Sequence, residues 1–149
     1  AKKMAAFLKQ KLPKDTLLLS SPAARCQQTI SALKLPYKTS EKLSIDASPL
    51  DLLDLIDWHN DSFHRQTVLI CGHQPILGQT IAKILMGSSD YWTIKKGSIW
   101  WLSSKAKRQD SHAWIKAVLT CDLLESRQSI KEPKSAKPTK TLKIPKVLA

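Results

Sequence analysis

Two short apolar runs, TLLLS at 16–20 and QTVLIC at 66–71, restrict what this chain can fold into more than any other feature of it. Neither alternates polar with apolar residues, so neither suits a sheet with one wet face. Apolar runs of strand length belong in a sheet covered on both sides, which is typically a parallel one. A parallel neighbour demands a crossover, and the sequence supplies helices in the right places. PAARCQQTISALKL (22–35) follows the first run at helical spacing, with Pro22 suited to the first turn. Pro75 to Met86 follows the second run in the same way and is closed by Gly87.

Other segments extend the pattern. AKKMAAFLKQKL (1–12) places Met4, Ala5, Leu8 and Leu12 on one side, and Pro13 closes it. SPLDLLDLIDWHND (48–61) predicts a helix with Leu50, Leu53, Leu55 and Ile56 on its apolar face; Ser48 and Pro49 supply cap and first turn. GSIWWLS (97–103) and AWIKAVLTC (113–121) read as two later strands, antiparallel at one side of the sheet. Strands alternating with helices, then a hairpin-like pair, predict a three-layer α/β/α sandwich around a mostly parallel central sheet.

At 149 residues, with 42% hydrophobic and 24% charged, the chain is expected to hold one domain with a full core. That domain is expected over 1–126, followed by a basic Lys/Pro-rich tail over 127–149. No apolar run approaches the roughly 20 residues of a membrane span, and no signal-peptide pattern opens the chain. Cys26, Cys71 and Cys121 are odd in number and far apart, which suits reduced thiols in a cytoplasmic protein better than a disulfide framework. From Ile130 onward six lysines stand against one glutamate, within a net charge of +12 for the chain. These lysines recur every third residue from Lys131 to Lys146, which would form one stripe on a polyproline II helix. A solvated, disordered extension is the expected state of that tail.

In open α/β sheets, ligands collect beyond the carboxyl ends of the strands. Both junctions, LLLSSPAAR and LICGHQP, are expected to open there, which would bring Arg25 and His73 to one pocket. Helix starts carry unpaired N–H groups and the positive end of the dipole, so the place suits an anion. A guanidinium at 25 would offer a planar fork for two phosphoryl oxygens, and His73 could donate to a third.

LLLSSPAARCQQTISAL resembles the Ser-Ser-Pro-x-x-Arg-x-x-Gln-Thr-Ala segment of the histidine phosphatase superfamily, whose fold is phosphoglycerate mutase-like. VLICGHQPILGQTIAKIL is similar to its Val-Gly-His-Asn-Pro segment, with Gln74 where asparagine is usual. The short spacing between the two, and IKKGSIWWL downstream, are most similar to the SixA-type phosphohistidine phosphatases. The resemblance covers roughly residues 1 to 121. It implies a hydrolase in which a histidine from an Arg-His-Gly motif attacks phosphorus and becomes phosphohistidine, without metal or cofactor. It assigns Arg25 to the clamp arginine and His73 to the second histidine, and places Ser21 and Gly72 at substrate-side positions that shape the turns. The implied partner is a phosphorylated phosphotransfer domain or a small phosphate ester. A membrane is not expected, and nucleic acid is not the expected partner.

No Arg-His-Gly occurs in these 149 residues. The first helical pattern also begins without a cap residue, so the chain is expected to lack its parent's first strand, with the nucleophile, and to be inactive alone. His59, His64 and His112 stand in the wrong context to replace it, and Asp46 is only a loose match for a general acid. Two other readings remain open: a small-molecule phosphomonoesterase of the same superfamily, and a non-catalytic phosphate- or nucleic-acid-binding module. Lesser candidates are a Cys71–His73 thiol–imidazole pair, a metal site in DWHNDSFH (57–64), and a stacking platform at Trp100 or Trp101. For these, buried packing or a polar loop is the expected role.

Overall fold

Strand β1 (Leu17–Ser20) is the axis of the fold. In the computed structural model, which describes residues 1–58, 66–105 and 112–124, it lies between β2 (Lys38–Thr39) and β3 (Val68–Cys71). Both pairings are parallel, and Leu17 to Ser20 stand opposite Val68 to Cys71 residue for residue. Successive side chains of a strand point to opposite faces, and β1 shows the consequence. Leu18 joins Met4, Ala5 and Leu8 of α1 (Lys2–Lys11) and Ile30 of α2 (Ala24–Ser31). Leu19 joins Leu52 of α3 (Pro49–Leu55) and Ile76 of α4 (Ile76–Met86). Helices therefore cover both faces of β1, which is why its run of leucines carries no polar alternation.

The chain is thus mixed α/β, with four α-helices among the described residues. Several expectations need correction. The helix after β1 stops at Ser31 instead of running to Leu35; Lys34 takes a left-handed φ of 51°, and Pro36 disfavours helical backbone at Leu35. On α3 the buried residues are Leu52 and Leu53, with Ile56 just beyond, while Leu50 is 55% exposed. The cap fixes this phase. Ser48 Oγ accepts from Asp51 N at 3.2 Å, and Asp51 Oδ2 accepts from Ser48 N at 2.8 Å, a reciprocal capping box with Pro49 in the first turn. Two residues of helix turn the chain by about 200°, so Leu50 points away from Leu52.

The two late strands form an antiparallel pair, β4 (Ile99–Lys105) and β5 (His112–Leu119), irregular between Trp101 and Leu102. Among the described residues they make their own two-stranded sheet, separate from the parallel one. β2 was not expected at all. Gly87 ends α4 with φ 75°, its N–H reaching Lys83 O, as a left-handed cap requires. No described helix is long and apolar enough to cross a membrane. The tail over 127–149, and His59 and His64 of DWHNDSFH, lie outside the described residues.

Candidate functional site

Parallel β1 and β3 end at the same edge, and the residues just past them form one cluster. Ser21 N donates to Cys71 O at 2.9 Å, carrying the ladder one residue beyond β1. The chain then turns through Pro22 and Ala23 into α2, and Ser21 Oγ accepts from Ala23 N at 3.2 Å. On the neighbouring strand, His73 O accepts from Leu77 N at 3.0 Å, which ties the histidine backbone to the start of α4. Two strand-to-helix turns thus hold His73 and Ser21 in fixed register.

The histidine is buried, and both of its ring nitrogens are engaged. Arg25 Nη2 lies 2.8 Å from His73 Nδ1, and His73 Nε2 lies 2.8 Å from Ser21 Oγ. A guanidinium can only donate, so Nδ1 is the acceptor and Nε2 carries the proton that goes to Ser21. His73 is therefore the neutral tautomer. Its pKa falls below the ordinary 6.5, first because burial penalises the charged ring and second because the Arg25 charge repels a second one. Arg25 itself is exposed, so the cluster opens to solvent on the guanidinium side.

The structure thus brings Arg25, His73 and Ser21 into direct contact. Gly72 adjoins them, but not for the reason expected. Its φ is not positive, and a Cβ there would meet Leu77 only at an ordinary 3.5 Å. What it contributes is its carbonyl, 3.5 Å from Cys26 Sγ. Asp46 is exposed in the loop before α3, and no hydrogen bond ties it to the cluster among the described residues.

Sequence reasoning overlooked Cys26. Its buried sulfur lies 3.8 Å from His73 Nε2 and 4.0 Å from Nδ1, so the thiol beside the imidazole is Cys26 and not Cys71. The signal was its place one residue past Arg25, on the buried side of α2. Cys71 instead directs its sulfur to Cys26 O at 3.5 Å, and its pKa is pushed up to about 12 by burial and by the neighbouring Cys26. A thiol held protonated in this way is a packing group and no nucleophile. Gln74 was also undervalued. Its Oε1 accepts from Gly78 N at 3.1 Å and its Nε2 donates to Trp92 O at 3.0 Å, fastening the start of α4 to the loop before β4.

Trp100 and Trp101 are half-buried packing groups. Trp100 lies 5.8 Å from Trp92, centroid to centroid and tilted, and Lys116 Nζ sits 4.8 Å above the Trp101 ring. No protein-family model matches the chain, and no curated protein matches it either.

Proposed function

We propose that the Arg25–His73–Ser21 cluster is a phosphoryl-binding site, and that the protein is a phosphohistidine phosphatase of the SixA type. The observation that carries this reading is the exposed guanidinium resting on a buried, neutral imidazole at the carboxyl edge of two parallel strands. A phosphoryl group arriving there offers the guanidinium a better acceptor than a ring nitrogen. Arg25 then swings from Nδ1 to two phosphoryl oxygens. The vacated Nδ1 takes a proton from solvent, because a nearby dianion favours the charged ring. His73 now donates to a third oxygen through Nδ1 while Nε2 stays on Ser21. The clamp thus gains positive charge only when its anion is bound.

The sandwich of phosphoglycerate mutase-like type belongs to the same proposal and is supported by helices on both faces of β1. Three free thiols favour a reducing compartment, which fits the cytoplasm. In this reading the nucleophile is a histidine of the Arg-His-Gly type, a motif that these 149 residues do not contain. Its nitrogen bonds to phosphorus as the substrate imidazole leaves, and water then cleaves the new phosphohistidine. An imidazole leaves more easily than an alkoxide, so a strong general acid matters less.

The test is hydrolysis by the full-length protein of a phosphohistidine-bearing phosphotransfer domain, beside a small phosphate ester. Arg25→Ala and His73→Ala should each lower the rate on the phosphoprotein by on the order of 10²–10³. Rates unchanged in both variants would refute the site. A preference for the ester would make the protein a small-molecule phosphomonoesterase. Phosphate binding with no turnover of either substrate would make it a binding module.

A further inference from the structure

The segment between α4 and β4 does more than join them. α4 starts beside His73 and runs eleven residues away from it, so the cap at Gly87 lies about 16 Å from the carboxyl edge. The chain then returns along the helix as a strap. Trp92 and Ile94 are half-buried, while Tyr91, Thr93 and Lys95 alternate with them and are exposed. Two contacts fix the return. Trp92 O accepts from Gln74 Nε2 at 3.0 Å and fills the space that a Cβ on Gly78 would need, so the strap rests on the first turn of α4, next to His73. Further on, Ile99, the first residue of β4, packs against the same apolar cluster as Cys71, the last residue of β3. β4 therefore begins on the side where β3 ends. The residues just outside these strand ends, His73 after one and Lys96 before the other, belong to the same edge of the fold.

What the strap delivers there is a turn with a lysine at its tip. Ser98 N donates to Lys95 O at 3.0 Å, and Ser98 Oγ donates to the same oxygen at 2.6 Å. Gly97 has φ 73°, as the third position of a type II turn requires. Lys95 is tied down, its Nζ 3.9 Å from Asp122 Oδ1. Lys96, the second residue of the turn, is exposed and has no ion pair among the described residues. We propose that Lys96 is a specificity-determining residue, which binds a carboxylate carried beside the phosphoryl group and so selects an acidic phosphoprotein segment over a small phosphate ester. The inference rests on the phosphoryl-binding reading of Arg25, His73 and Ser21. A carboxylate is the fitting group because the lysine head is a point charge with three donors and no acceptor. An ester with no charge outside its phosphoryl group leaves Lys96 in water.

The test uses the chain itself and two peptides that carry a phosphonate-bearing triazole, a stable stand-in for phosphohistidine. In one peptide two glutamates flank the triazole on either side, and in the other two serines do. At about 0.05 M salt the wild type should bind the glutamate peptide about three- to tenfold more tightly than the serine peptide. Lys96→Ala should abolish that preference, and Lys96→Arg should keep most of it. Lys9→Ala removes the same charge at the end of α1 that leads into β1, and should leave the preference intact. The ¹⁵N response of the His73 ring to inorganic phosphate should be the same in every one of these proteins. Equal binding of the two peptides by the wild type, a preference that survives Lys96→Ala, or equal losses in Lys9→Ala and Lys96→Ala would overturn the inference and leave the clamp standing. A phosphate response lost in Lys96→Ala would make the lysine part of the clamp itself and overturn its role in selection. A His73 ring indifferent to phosphate in the wild type would refute the phosphoryl site, and this inference with it.

Discussion

An imidazole that accepts from a guanidinium at Nδ1 cannot also hold a proton there, so the bond between Arg25 and His73 couples the fold to pH. The folded ring has a pKa below 6.5, whereas the unfolded ring titrates at its ordinary value. As pH falls below about 6.5, the unfolded chain takes up a proton that the folded ring refuses, so this contribution to stability shrinks in acid and is complete above that value. Urea unfolding from about pH 7.5 down to about pH 5 should show it as a stability difference between wild type and His73→Gln that narrows with acid. A difference independent of pH would mean the ring is not held neutral. Asp51 and Asp122, both lowered, titrate below this window and are common to both proteins. The other partner of the His73 ring is Ser21, wholly buried, which accepts from both His73 Nε2 and Ala23 N. Ser21→Ala strands both donors and should cost about 1–3 kcal/mol in the same assay.

Helix α4 holds Gly78 in its interior and is capped by Gly87, and replacing either by alanine should fail for a different reason. In a helix interior, Gly→Ala usually gains about 0.5–1 kcal/mol. At Gly78 a Cβ would collide with the Trp92 carbonyl oxygen, so the helix and the loop before β4 must part. Gly78→Ala should therefore destabilise by about 1–3 kcal/mol and shift the emission of Trp92. Gly87 has open space around it, and only its φ of 75° opposes a side chain. Gly87→Ala should cost about 1 kcal/mol with tryptophan emission unchanged. Most elements were legible in the sequence because burial dictates residue type: β1, β3 and α4 follow their apolar runs to within a residue or two. β2 was not, since Lys38 and Thr39 are both exposed and a two-residue edge strand is held by backbone bonds that leave no side-chain signature. The phase of α3 was misread because four leucines and an isoleucine allow several stripes, and the Ser48 cap selects one. The meeting of Arg25 with His73 was legible as two strand-to-helix junctions opening on one edge. The Ser21 and Cys26 contacts were not, because they depend on how the turn after β1 places each side chain. Nor did the two late strands announce that β4 would stand apart from β3, since sheet membership is decided by the edge each strand meets.

At the scale of the whole molecule, the net charge of +12 is a long-range property that acts on encounter more than on fold. An acidic phosphoprotein should be drawn toward this chain, and salt should screen that attraction, since the Debye length is only about 8 Å at physiological ionic strength. On the proposed phosphatase reading, raising salt from about 0.05 M to about 0.5 M should lower kcat/KM for an acidic phosphotransfer domain severalfold and leave a small phosphate ester nearly unaffected. Equal effects would show that the charge does not steer. The central claim, that Arg25, His73 and Ser21 form a clamp charged by its own ligand, needs no turnover to be tested. The direct measurement is the ¹⁵N spectrum of the His73 ring, followed against pH with and without inorganic phosphate. The predicted result is a neutral Nε2–H ring with a pKa below 6.5 when free, and a doubly protonated ring with a raised pKa at saturating phosphate, lost in Arg25→Ala. A His73 ring whose shifts and pKa do not respond to phosphate, or respond alike in Arg25→Ala, would contradict the account.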